Sequence, residues 1–122
     1  MRGWVRKLIN KMATIFGEKQ KNVAVSFSSS GNNTLISAPS QGYLAIDNLN
    51  FVPDSAVSVK LVRGSTDLTG VYSLTANQGF TQENTSGHQD GVFTCNPGEA
   101  FIANITSAVQ CSGFCKYRII GE

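Results

Sequence analysis

His88 is the single histidine of this 122-residue chain, and it sits in Thr85-Ser86-Gly87-His88-Gln89-Asp90, a run with the composition of a polar loop. An imidazole acting as general base needs a hydroxyl or thiol in reach and a carboxylate to orient the ring. Asp90 is two positions away and serines are plentiful, so neighbours of the right type arise by coincidence. A solvated loop histidine is the better reading.

Cys95, Cys111 and Cys115 are the other groups with reactive potential. The Cys-x-x-x-Cys spacing of Cys111 and Cys115 does not match a zinc knuckle, and a fourth ligand is missing. On a continuous strand the two share a face with Val109 and Tyr117, because side chains alternate along a strand. Free cysteine behaves as a small apolar side chain, so core packing is the expected role. One bridge, from Cys95 to Cys111 or to Cys115, stays open.

The carboxylates are scattered, and no calcium loop, phosphate-binding glycine loop or dinucleotide fingerprint is present. Asn32-Asn33-Thr34, Asn84-Thr85-Ser86 and Asn104-Ile105-Thr106 match the glycosylation sequon, a chance match in a chain rich in Asn and Thr. No catalytic residue, metal site or cofactor is expected, and the chain reads as a non-enzyme. Charged residues make up 15%, against about 25% in an average globular chain. With 41% hydrophobic residues, that composition excludes disorder over most of the length.

The elements that would carry any site divide in two. Residues 1–21 hold Arg2, Arg6, Lys7, Lys11, Lys19 and Lys21 against Glu18, a net charge of +5, while residues 22–122 hold four cationic against seven acidic side chains, a net −3. Residues 2–16 follow a helical period, with Trp4, Val5, Leu8, Ile9, Met12, Ile15 and Phe16 in one arc of roughly 140°. Arg2, Arg6, Lys7, Asn10 and Lys11 fill the rest, and Gly17 is a natural stop. The pattern predicts a basic amphipathic helix, which is marginal alone and must bury its stripe. The partner is the chain's own body, a second protein subunit, or, less favoured, a membrane surface or nucleic acid. A docking arm against another subunit is the preferred reading, with the cationic and apolar residues just named as its contacts. Asn10 and Lys11 interrupt the apolar run a secretory signal requires, so the chain is expected to be made and kept in the cytoplasm.

From residue 22 the period falls to two. Strands are expected around Val23 to Phe27, Thr34 to Ser37, Tyr43 to Asn50 and Val57 to Arg63. Further candidates are Leu68 to Leu74, Gly79 to Glu83, Gly91 to Cys95, Glu99 to Thr106, Val109 to Cys111 and Phe114 to Ile120, with Gly113 between the last two suggesting a bulge or a close backbone approach. Turns are expected at Ser28 to Asn33, Pro53 to Ser55, Gly64 to Asp67 and Asn96 to Gly98. About eight short strands with regular turn signals point to an all-β sandwich, a jelly roll first and an immunoglobulin-like arrangement second. The aromatics are spread over nearly every strand, as a sandwich core requires.

The stretch from Asn96 through Tyr117 contains Gly98-Glu99, then Asn104, Ser107-Ala108, Gly113 and Tyr117. It resembles the closing strands of small β-sandwich virion proteins of tailed bacteriophages, and Val59 to Gly70 is similar to their central hairpin. The resemblance covers roughly residues 56–119 and rests on pattern more than on an invariant motif. It implies a capsid decoration, or cement, protein in the virion, partnered by the major capsid protein or other virion subunits and assembled as a trimer. It implies no catalytic residue and no small-molecule substrate. The basic helix has no counterpart in that pattern. A tail- or fibre-associated module, or a carbohydrate-binding β module for host-surface adhesion, is the alternative expectation.

Overall fold

Strict alternation of apolar and polar residues gives each strand one face for a core and one for solvent. The computed structural model describes residues 19–121. The expected arm helix, with Trp4, Val5, Leu8, Ile9, Met12, Ile15 and Phe16 and the cations Arg2, Arg6, Lys7 and Lys11, lies outside the described residues. The strands are β1 (Lys21–Phe27), β2 (Gly31–Ile36), β3 (Tyr43–Pro53), β4 (Val57–Arg63), β5 (Thr66–Asp67), β6 (Tyr72–Leu74), β7 (Phe80–Glu83), β8 (Phe93–Thr94), β9 (Phe101–Ile105) and β10 (Cys111–Ile120).

They form a β-sandwich of two antiparallel sheets. One has the order β1-β10-β3-β7, with β8 also on β3, and the other the order β2-β9-β4-β5, with β6 also on β4. The path is a long hairpin rolled on itself. β4 pairs with β5 and β6, β3 with β7 and β8, β2 with β9, and β1 with β10. The β10–β3 and β9–β4 pairings then complete the sheets.

One apolar cluster fills the space between the sheets. β4 contributes Val57, Val59 and Leu61, and β9 contributes Phe101, Ala103 and Ile105. From the facing sheet come Val25, Phe27, Leu44, Ile46, Leu49, Phe51, Phe80, Cys111 and Cys115. Phe51 lies between Phe27 and Phe80, with ring centroids 5.4 and 4.9 Å away. Contacts between Tyr72 and Phe80 (5.1 Å) and between Phe93 and Phe101 (6.2 Å) tie one sheet to the other. Each such ring removed from water contributes on the order of 1.5–3 kcal/mol.

Several boundaries differ from the sequence expectation. Gly31 to Asn33 are strand rather than turn, because they pair with Ala103, Asn104 and Ile105. Thr66 and Asp67 form a two-residue strand, and the Leu68 to Leu74 candidate shrinks to Tyr72–Leu74. The count is ten against the expected eight or so, with Thr66–Asp67, expected as part of a turn, forming a strand of its own. Gly113 is a close approach and not a bulge. A Cβ there would overlap the carbonyl of Asn50 on β3, while the register shift falls three residues later, between Lys116 and Tyr117.

Gly113→Ala is therefore expected to destabilise the fold by about 2–4 kcal/mol in a urea titration, through overpacking against fixed backbone. Gly79→Ala, where an added Cβ meets nothing within 4 Å, is expected to stay within about 0.5 kcal/mol of the parent.

Candidate functional site

The register shift on β10 has its cause on β3. Lys116 pairs with Asn48 and Tyr117 with Ile46, so Asp47 is the extra residue of a β-bulge. Before it, Leu44 and Ile46 enter the core; after it, Leu49 and Phe51 do. The bulge switches the phase of the strand and leaves Asp47 and Asn48 together on the outer side. Asp47 is 8% exposed, and it is the one buried charged residue among the described residues.

Three side chains converge on that carboxylate through four hydrogen bonds. Arg118 on β10 donates from Nε to Oδ2 at 2.7 Å and from an Nη to Oδ1 at 2.8 Å, the fork geometry of a strong ion pair. Gln20 Nε2 donates to Oδ2 at 3.1 Å and Asn84 Nδ2 to Oδ1 at 3.3 Å. Burial raises the pKa of Asp47. The hydrogen bonds from Arg118, Gln20 and Asn84, with the charge of Arg118, outweigh it and hold the carboxyl below its ordinary 3.8.

The same groups pin the loop that follows β7. The Asn84 N–H donates to the Asp47 carbonyl at 2.8 Å. The Asn84 side chain donates to the His88 carbonyl at 2.7 Å and accepts from the His88 N–H at 2.9 Å. Arg118 also donates to the His88 carbonyl at 3.2 Å. Further along, the loop returns to β3 at Gly91, which bridges to Ile46. Gly91 has a φ of 76°, and a Cβ there would overlap the Ile46 carbonyl, so only glycine fits.

Between this loop and the outer face of the sheet lies a cavity of about 500 Å³. Its wall includes Gln20, Asp47, Arg118, His88 and a row in direct register, Lys116 on β10, Asn48 on β3 and Glu83 on β7. Asn48 Oδ1 is buried and has no hydrogen-bond partner. The cavity's lining is polar and contains no Phe, Tyr or Trp ring.

His88 thus borders the cavity, but it is exposed, and its backbone carries the contacts that hold it. Asp90 accepts from the Tyr43 hydroxyl at 2.7 Å instead. Asp47 is saturated by donors and has no free lone pair directed at a substrate. Cys95, Cys111 and Cys115 are free thiols in the core. Burial pushes them up to about 12, 11 and 12, with Glu99, Asp54 and Asp47 adding smaller increments in turn. Among the described residues, no group of three His, Cys, Asp or Glu side chains is placed to hold a metal ion, and no helix is long and apolar enough to cross a membrane.

Asp47 and Arg118 were not legible as a pair in the sequence. The signal was the change of phase between Ile46 and Leu49 within one strand, centred on an acidic residue. Comparison with protein-family models, with curated proteins and with solved structures returned no match.

Asp47→Asn is expected to lower stability by about 2–3 kcal/mol at pH 7, because Arg118 keeps a half-buried charge without its counter-ion. The carboxyl titrates lower in the folded chain than in the unfolded one. Its contribution is therefore complete above the unfolded value near 3.8 and is lost as pH falls through the folded value. Stability measured from pH 7 to pH 2 is expected to drop less in Asp47→Asn than in the parent over the acid part of that range.

Proposed function

We propose that this chain is a non-enzymatic structural protein of a phage virion that decorates and reinforces the head. The observation that carries the reading is the strand order. With β5 and β6 counted as one interrupted run, and β7 and β8 as another, eight runs are nested as a rolled-up hairpin, which is the jelly-roll arrangement. Jelly rolls build viral capsid and lectin domains. That support is by architecture, an analogy and not a site.

Two further observations favour the same reading. The stretch that resembles virion proteins maps onto β9 and β10, which lie inside their sheets, and Val59 to Gly70 covers the β4–β5 hairpin. The one cavity described above lacks the aromatic platform on which sugars or bases stack. The larger exposed apolar side chains, Val52, Val71, Tyr72 and Phe114, are dispersed over both sheets, as suits several weak contacts made at once. Such contacts add multivalently when a rigid body touches several subunits. The basic N-terminal segment would supply one of them against an acidic surface of the shell.

Purified protein is expected to co-sediment with heads prepared without it and to raise the temperature at which they rupture. No binding and no gain in heat resistance would refute the reading. A chain lacking residues 1–17 is expected to keep the parent's unfolding midpoint and lose head occupancy. Unchanged occupancy would remove the docking role of that segment.

A further inference from the structure

An edge strand exposes a row of backbone N–H and C=O groups, and proteins blunt such edges with breaks, bulges, charges or proline. Three of the four sheet edges here are blunted. β7 and β8 are separated by the 84–92 excursion, β5 and β6 by residues 68–71, and β2 has a register shift between Thr34 and Ile36. β1 differs. Its seven residues pair with β10 without a shift, and among the described residues no strand lies on its other side. It contains no proline, and Lys21 at its start is its single charge. Its core side is incomplete as well, since Val25 and Phe27 are buried but Val23 only partly.

We propose that β1 pairs antiparallel with β1 of a second copy of this chain, about a twofold axis at Ala24. That centre uses the whole strand. Lys21 then opposes Phe27 of the second copy, Asn22 opposes Ser26, Val23 opposes Val25, and the two Ala24 residues meet. Directly opposed residues of an antiparallel ladder lie on one face, so the valines cover each other on the core side. Asn22, Ala24 and Ser26, all exposed, stay on the outer side. Each Lys21 is kept away from its twin, whereas parallel pairing would set the two ammonium groups side by side. The contact is isologous and closes after two copies. It extends the sheet β7-β3-β10-β1 into its mate. This inference stands apart from the decoration reading, and it replaces the trimer implied by the resemblance with a twofold pair.

The test uses the full chain. Sedimentation velocity over a concentration series is expected to show a monomer–dimer equilibrium. Ala24→Cys should form a disulfide-linked dimer under mild oxidation, because opposed Cα atoms of about 4.5–5.5 Å separation fall within disulfide range. Asn22→Cys should form it at least about tenfold more slowly, since its thiols stand four residues out of register, about 14 Å apart. The native cysteines are fully buried, so the parent chain serves as control. Ala24→Lys sets two ammonium groups face to face at an exposed position and should return the protein to monomer, with the unfolding midpoint that the parent shows at concentrations where it is itself monomeric. A monomer at every concentration, a trimer, or equal crosslinking of the two cysteine variants would overturn the proposal.

Discussion

A single carboxylate sets the phase of the central strand. β3 runs through the middle of its sheet, and its two ends must each send apolar side chains inward. An extra residue is needed between them, and that residue is Asp47. Its charge could not stay there without Arg118, whose guanidinium meets it at 2.7 and 2.8 Å. The same pair then holds the Asn84–His88 turn through Asn84 and the His88 carbonyl. Register, core filling and the shape of the outer cavity thus share one electrostatic joint. Bulges recur beside functional sites. Here the donors around the bulge are shared between the Asp47 carboxylate and the His88 carbonyl, which ties the strand register to the loop.

Most of the strand pattern was legible from alternation alone. Val57, Val59 and Leu61, and Phe101, Ala103 and Ile105, face the core as their spacing implies. The core placement of Cys111 and Cys115 was also readable, from their shared phase with Val109 and Tyr117. What escaped were features fixed by a distant partner. Gly31 to Asn33 have turn composition but become strand because β9 pairs with them. Gly113 could be flagged from the sequence, but only the neighbouring Asn50 carbonyl decides between bulge and close approach. Asp47 and Arg118 are 71 positions apart, and nothing local announces that they meet.

The thiols are buried, Asp47 accepts four hydrogen bonds, and His88 is exposed at the rim of the cavity. The described residues present the outer sheet faces and the uninterrupted β1 edge. The stability of the sandwich depends on the joint between β3 and β10, the most extensive strand pairing among the described residues.

The most direct measurement is a double-mutant cycle on that joint, with Asp47→Asn, Arg118→Met and the double variant unfolded in urea at pH 7. A structural ion pair at the bulge predicts strong non-additivity, with a coupling of about 2 kcal/mol or more. Additive losses, with a coupling below about 0.5 kcal/mol, would contradict it.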